Sequence, residues 1–336
     1  MTNKEKYKEF CRENKTIPIF SKDWWMDAVC EEKKWDVLLV EKGGQIVASL
    51  PYYLRKQGRR RYITQPPLTQ TNGIWIKYPP TQKYCEKLAY EKKVMREIIN
   101  QLDELNLDYY RQNFHYSVTN WLPFYWRGFK QTTRYTYLIE NLGNLDEVYN
   151  NFKCNMRNKI RKAKKRNIKI VFKDDIETFY TINKKTFDRQ NIAIPYSLNF
   201  IKKLDNILKK KQARKIFFAI DENEKIHSVL YLIWDSMSSY LHMAGDDPDL
   251  RESGAAILLI WEAIKFTKEI LHLSMFDFEG SMIKSVEEVR SSFGAIQKPY
   301  FNISKDYKKN IFRIIATDIY NNYPVIKKIY HKVKGR

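Results

Sequence analysis

Chemistry is first legible in this 336-residue chain where a strand ends in a polar loop that opens straight into a helix of small residues. The run is Ala244-Gly245-Asp246-Asp247-Pro248-Asp249-Leu250-Arg251-Glu252-Ser253-Gly254-Ala255-Ala256. The first N–H groups of a helix have no partner within the helix, and the helix dipole adds positive potential there. Gly254, Ala255 and Ala256 would let a phosphate approach the backbone closely, and Arg251 would clamp it from the side. Tight helix packing behind an N-capping Ser253 accounts for the same residues, so both readings stand at this point.

Two neighbouring strands, about 238 to 245 and 274 to 279, should end beside that helix start, and if they run parallel a ligand belongs at their carboxyl ends. Alternation puts Tyr240 and His242 on one face and Asp277 and Glu279 on another, opposite Phe276 and Phe278. Charges inside an α/β sheet need a reason, which is either chemistry or an ion pair with a nearby Lys or Arg.

Two further stretches invite ligands. Lys153 to Lys169 holds nine Lys and Arg and no acid, with Met156, Ile160 and Ala163 as a narrow apolar stripe. This is a helix with cationic exposed faces, either merely solvated or a contact for phosphates. Gln65-Pro66-Pro67-Leu68-Thr69-Gln70-Thr71-Asn72-Gly73 is an uncharged polar loop flanked by Tyr62, Trp75 and Tyr78. Its Gln65, Thr69, Gln70 and Asn72 suit a sugar or peptide acceptor, and a plain surface loop fits equally.

The elements that must position these residues follow one order in both halves. Strand, Lys42-Gly43-Gly44-Gln45 turn and strand form a hairpin, followed by a helix at about 82 to 104, a strand at about 107 to 113, a Trp/Phe-rich segment ending Arg127-Gly128-Phe129, and a strand at 132 to 140. After three helical stretches between about 145 and 211, a three-stranded meander, a helix, a strand, a short helix and a closing strand (IQKPYFNI) repeat the order. The expected fold is α/β (α+β) in two similar units, each a mixed twisted sheet flanked by helices. The expected domains are 1–143 and 144–304, with a basic helical tail at 305–336. The tail holds nine Lys and Arg, with Ile311, Ile314, Ile315, Ile319 and Tyr323 near helical spacing, and Pro324 interrupts it.

Composition bounds the partners. Sixty Lys and Arg against 39 Asp and Glu leave +21, which favours phosphate-bearing ligands, nucleic acid or contact with an anionic membrane surface. The four cysteines and five histidines are scattered, so neither a disulfide framework nor a metal site is expected. The N-terminus lacks the apolar core of a signal peptide and no apolar run is long enough to span a membrane, which predicts a soluble cytoplasmic protein.

Arg251-x-x-Gly254-x-Ala256 after a strand resembles the pyrophosphate loop of the GNAT acyltransferases. Asn155-x-x-Asn158-x-Ile160-Arg161-Lys162-Ala163, Ala244-Gly245-x-x-Pro248, Leu258-Leu259-x-Trp261-Glu262-Ala263-Ile264 and Phe276-Asp277-Phe278-Glu279-Gly280 narrow the likeness to GNAT-like proteins related to the FemAB peptidoglycan aminoacyltransferases. The likeness covers about 145 to 300 well. In the first half, Phe20-x-x-x-Trp24-Trp25 and Leu50-Pro51-Tyr52-Tyr53-x-x-x-x-Gly58 look like the first domain of the same lineage.

The resemblance implies two GNAT-like domains in tandem and transfer of an acyl group to an amine. In the FemAB branch it implies an aminoacyl-tRNA donor and a cell-wall precursor acceptor. The chain lacks a long inserted helical hairpin and its phosphate loop is nearer the acyl-CoA pattern, so acyl-CoA and aminoacyl-tRNA stand as rival co-substrates, neither a permanently bound cofactor.

Acyl transfer needs a base for the acceptor ammonium: Glu279 first, Asp277 second. Backbone N–H groups around Met243 to Gly245 would serve the oxyanion, and Tyr240 or His242 the leaving atom. The expected protein is thus an N-acyltransferase acting on an amine of a small-molecule or glycan acceptor, such as a cell-envelope or polysaccharide precursor. The alternative is a non-catalytic, basic nucleic-acid-binding protein on a degenerate scaffold of the same fold.

Overall fold

The computed structural model describes residues 1–280 and 282–308, so the tail beyond 308 lies outside the described residues. The chain forms two compact units, Met1–Thr136 with the segment returning from Lys298, and Tyr137–Gln297.

In the first unit α1 (Asn3–Glu13) starts at a capping box, where the Thr2 hydroxyl accepts the Glu5 N–H and the Glu5 carboxylate accepts the Thr2 N–H. α2 (Asp23–Cys30) leads into the hairpin of β1 (Trp35–Lys42) and β2 (Gln45–Gln57). Its two turn residues, Gly43 and Gly44, have φ of 55° and 75°, which glycine adopts without strain. Then come β3 (Arg60–Thr64), β4 (Trp75–Ile76), α3 (Tyr84–Glu104), β5 (Tyr109–Asn113), α4 (Leu122–Trp126) and β6 (Lys130–Ile139), whose last residues enter the second unit. Val94, Met95, Ile98, Ile99 and Leu102 of α3 pack on Leu38, Leu50 and Ile63 of the sheet. Their spacing three and four apart gives the helix one apolar face.

The second unit runs α5 (Leu145–Asn150), α6 (Cys154–Lys165), β7 (Lys169–Phe172), α7 (Ile176–Arg189), α8 (Leu198–Lys210), β8 (Arg214–Ile220), β9 (Ile226–Trp234) and β10 (Ser239–Asp246). A 3₁₀ turn, Pro248–Ser253, then leads to α9 (Ala255–Glu269), β11 (Phe276–Asp277), α10 (Lys284–Ser291) and β12 (Ile296–Asp306), which returns to the first unit. Met156, Ile160 and Ala163 are the buried residues of α6, as their spacing predicts. Buried Arg214 of β8 pairs with Asp205 of α8 at 2.8 Å, and Asp205 also accepts the Tyr231 hydroxyl at 2.7 Å, which fastens α8 to β8 and β9.

The sheets differ from expectation at their ends. β3 and β7 are additional strands; β3 begins on two arginines and β7 is four residues directly behind a basic helix, so neither shows an apolar alternation. The closing strand was expected to complete the second unit. Instead Asn302–Asp306 of β12 pairs antiparallel with Asn113–Tyr109 of β5, in the first. Conversely, Leu138 and Ile139 of β6 pair with Asp277 and Phe276 of β11. Alternation fixes which face of a strand is apolar but not which distant strand it joins.

Each unit repeats strand, helix, parallel strand. β3 and β5 pair parallel through Tyr62↔Tyr109 and Ile63↔Tyr110, and β10 and β11 through Ser239↔Phe276 and Tyr240↔Asp277. The mixed α/β architecture expected from the sequence, two units of similar element order, is the one observed.

Two glycines bring helices onto the end of β10. A Cβ on Gly245 would lie 2.5 Å from the Asn183 Cα of α7, and one on Gly254 would lie 2.4 Å from the Lys159 carbonyl oxygen of α6. Gly254→Ala is expected to cost about 3 kcal/mol, from overpacking plus a left-handed φ. Gly128→Ala has the same backbone problem, at φ 79° with nothing within 4 Å, and should cost only about 1 kcal/mol. Urea unfolding of both variants checks the difference; equal costs would mean that α6 yields.

Candidate active site

β10 stays paired with β9 to its end, whereas its pairing with β11 stops after Tyr240↔Asp277. The two parallel strands therefore part, and the side chains just beyond the last shared pair define the opening. Leu241 faces Leu232 and Met243 faces Tyr231, so His242 is the extra residue of a β-bulge. A bulge re-aims the side chain it inserts. The His242 side chain is 2 % exposed, and its Nδ1 lies 2.7 Å from Oε1 of Glu279, itself 11 % exposed.

Glu279 does not continue the strand. β11 ends at Asp277, Glu279 has φ of 53°, and its N–H donates to Asp277 Oδ1 at 2.7 Å. The expected alternation of Tyr240 with His242, and of Asp277 with Glu279, is thus corrected on both strands: a bulge shifts the first, and a left-handed turn ends the second. Those same two irregularities bring His242 and Glu279 together.

Asp277 is 1 % exposed and holds the turn that presents Glu279. The Tyr240 hydroxyl donates to Asp235 Oδ2 at 2.9 Å, in the turn between β9 and β10, and so lies on a different hydrogen-bond partner from the His–Glu pair.

The loop after β10 is tied at several points. Asp246 Oδ1 accepts the Ser228 hydroxyl at 2.7 Å, and Asp246 N–H donates to the Thr186 hydroxyl at 3.0 Å. Lys185 hydrogen-bonds Asp247 at 2.6 Å and holds its carboxyl below the usual carboxylate range. Asn183 Nδ2 donates to the Ala244 carbonyl at 2.7 Å, and its Oδ1 accepts the Tyr196 hydroxyl at 2.6 Å. Asn183, Lys185 and Thr186 sit on α7 in the stretch FYTINKKTFDRQ; their signal was a run of polar residues on a face that apolar spacing left unassigned.

At the start of α9 the N-cap position falls on Gly254, with φ of 82°, rather than on Ser253, whose hydroxyl accepts the Ala255 N–H at 3.2 Å. Gly254 is small because α6 crosses there; Ala255 is buried and Ala256 half-buried. Arg251 is half-exposed, with Nε 3.8 Å from Asp246 Oδ2. The basic helix α6 therefore flanks the same helix start as Arg251, and Lys162 reaches Glu252 at 3.7 Å.

The polar loop of the first unit is spent on internal bonds. Gln65 Oε1 accepts the Asn113 N–H at 2.8 Å, and its Nε2 donates to the Thr69 carbonyl at 3.0 Å. Thr69 accepts the Trp25 indole N–H at 2.9 Å, Gln70 donates to Thr136 at 3.0 Å, and Asn72 accepts from Gln112 at 3.1 Å. Thr69 and Asn72 are buried. These four residues fasten the loop across the end of β5.

The family model of the acetyltransferase (GNAT) domain matches residues 150–285. The FemX crystal structure superposes with TM-score 0.67 at 12 % identity, covering 90 % of this chain and 96 % of that one. The C-terminal domain of a lysylphosphatidylglycerol synthetase from Agrobacterium fabrum gives 0.58 at 8 % identity, covering 94 % and 97 %. L-PGS from Bacillus licheniformis gives 0.56 at 9 %, covering 93 % and 94 %. No curated protein sequence matches the chain. At these identities the likeness is one of fold. Among the described residues no helix is long and apolar enough to cross a membrane.

His115, directly after the Phe114 that bridges to Asn72, is buried, and burial pushes its imidazole down to about 4 from 6.5. The unfolded chain then binds the proton first, so the stabilising preference for neutral His115 is complete above pH 6.5 and fades as pH falls to about 4. Wild type should lose about 3 kcal/mol more than His115→Gln over that interval. Urea midpoints taken across the interval check this, and parallel pH profiles would refute it.

Proposed function

We propose that this chain, whose residues 150–285 match the family model of the acetyltransferase (GNAT) domain, is an N-acyltransferase. It moves an acyl or aminoacyl group from a phosphate-bearing donor, acyl-CoA or aminoacyl-tRNA, to an amine on a cell-envelope or polysaccharide precursor. The observation that carries this reading is the His242–Glu279 pair, at 2.7 Å, across the opening between β10 and β11. An acid–base pair in a gap between parallel strands, next to a helix start, is what such a transfer requires.

Glu279 is the base. One carboxylate oxygen is held by His242, and the other takes the proton of the acceptor ammonium, directly or through water. The neutral amine attacks the donor carbonyl, a C–N bond forms, and the tetrahedral oxyanion lies near the backbone N–H groups of Met243 to Gly245. The intermediate collapses by breaking the bond to the thiolate or ribose oxygen of the donor. The proton that Glu279 took from the acceptor is relayed through His242 to that leaving atom, and the nitrogen's remaining proton passes to the freed Glu279 carboxylate and on to solvent; Tyr240, whose hydroxyl is engaged by Asp235, is the lesser candidate for the leaving atom. Asp277 positions Glu279 through the backbone bond at 2.7 Å. Arg251, half-exposed just before α9, would meet the donor phosphates together with the helix end at Ala256, since the space at Gly254 is taken by the Lys159 carbonyl, and the exposed cations of α6 extend that potential.

Support for the acceptor class comes from the neighbours' names. One structural neighbour carries the name of a lysylphosphatidylglycerol synthetase, a name that pairs an aminoacyl group with a phospholipid.

The test joins binding to catalysis. Thermal shift with CoA and with bulk tRNA separates the donors, because tRNA binding should weaken by about tenfold or more as salt rises from 50 to 200 mM, and CoA binding far less. Glu279→Gln should keep donor binding and lower kcat by about 10²- to 10⁴-fold. Full activity in Glu279→Gln, or no stabilisation by either donor, would refute the reading. Nucleic-acid binding unchanged in a Glu279→Ala, Asp277→Ala variant of an inactive protein would favour the non-catalytic binder.

A further inference from the structure

Exposed aromatic residues on α4 of the first unit point to a second surface, separate from the chemistry of the transfer. α4 begins after Trp121, and its Phe124 is wholly buried, with ring contacts to Phe114 at 5.1 Å and Phe129 at 5.2 Å. Pro123 is buried beside it. With those two residues turned inward, Leu122, Tyr125 and Trp126 fall three and four apart on the outward face, at 47 %, 58 % and 58 % exposure. Tyr125 is braced by the edge of Trp121 at 5.4 Å. Asn120 fixes the entry to the helix: its Oδ1 accepts the Leu122 N–H, and its Nδ2 donates to buried Glu91. The three apolar side chains are therefore held out on a bolted turn.

We propose that this face docks on an anionic lipid bilayer. Trp and Tyr are the side chains that sit at a membrane–water boundary, with an apolar body and a polar tip, and Leu supplies aliphatic contact. Exposed cations surround the turn: Arg127 and Lys130 follow it in the chain, and Lys93 and Arg96 lie on α3, which packs against α4. Of the acids on α3, Glu91 is buried and accepts from Asn120 and Tyr78, and Asp103 pairs with Arg127 at 2.7 Å and Lys305 at 3.2 Å. A net charge of +21 adds long-range attraction to an anionic surface. An apolar anchor and a basic surround are the two signals that reversible membrane binding needs. The bilayer is also where an envelope acceptor would be met, but the docking face stands whether or not the transfer does.

Sedimentation of the full chain with phosphatidylcholine vesicles, with and without roughly one third phosphatidylglycerol, tests it. The wild type should bind the anionic vesicles, lose most binding at high salt, and show quenching of Trp126 by brominated lipid, while Trp126→Phe loses that quenching. Leu122→Ser/Tyr125→Ser/Trp126→Ser should bind about tenfold or more weakly with an unchanged circular dichroism spectrum. Should the triple variant unfold, Trp126→Ser alone, with unchanged secondary structure, should still bind several-fold more weakly. Equal sedimentation of wild type and folded variants overturns the proposal. So does a wild type that is dimeric by light scattering, ignores vesicles, and becomes monomeric in the triple variant, since the face would then join two copies.

Discussion

The candidate site depends on two parallel strands that share only two residue pairs. β10 cannot leave β9, to which it is bonded along its whole length, and β11 cannot leave β6, which holds it at Phe276 and Asp277. The sheet must therefore part beyond Tyr240 and Asp277, and main-chain groups released there need partners. The Asn183 side chain caps the Ala244 carbonyl, the Asp277 carboxylate takes the Glu279 N–H, and the main-chain carbonyl of Tyr137 takes the Phe278 N–H. With the main chain satisfied in this way, the strands stay parted, and the residues two positions past the last pair are left to face each other.

The first unit shows what the same geometry does with other side chains. Its parallel strands also share two pairs, ending at Ile63 and Tyr110. Two residues on from those come Gln65 and Gln112; two residues on from Tyr240 and Asp277 come His242 and Glu279. In one unit the positions carry neutral amides, in the other an imidazole and a carboxylate. Amides can both donate and accept, so Gln65 ties the Asn113 N–H to the Thr69 carbonyl while Gln112 ties Asn72 to the Pro51 carbonyl. A loop drawn in by such bonds fills the opening of its own unit. An imidazole and a carboxylate bond to each other instead and retain the capacity to move a proton. The two units thus share a parting of parallel strands, and the second places an imidazole–carboxylate pair there.

Much of this was legible beforehand. The Gly43-Gly44 turn, the apolar stripe of α6, the α9 helix and the existence of β10 and β11 as strands follow from residue type and period, whereas from sequence the parallel pairing of those two strands is only a condition. His242, Asp277 and Glu279 stood out as polar groups where a sheet interior should be apolar. What the period could not reveal was the departure from it. A bulge inserts one residue without any mark in a single strand's sequence, and a carboxylate residue at φ 53° is stabilised by a tertiary bond, not by propensity. The exchange of β6 and β12 between sheets was invisible for a related reason, since strand partners far apart in the chain are selected by packing.

Gly254 carries that lesson furthest. A glycine at a helix start beside an arginine reads as room for a phosphate, yet the space its missing side chain opens is filled by the Lys159 carbonyl of α6. Gly245 likewise admits the backbone of α7. Both glycines are therefore used for close approach between elements, and the two helices clamp the end of β10 and the loop after it from either side. Interiors packed to this density do not shift by fractions of an ångström at low cost. The clamp has a chemical consequence as well. Because α6 is pressed against the α9 start by that contact, Lys162 reaches Glu252 at 3.7 Å, next in the chain to an Arg251 whose Nε lies 3.8 Å from Asp246. Sequence spacing marks each of these groups separately; the close approach at Gly254 is what brings α6 to the loop.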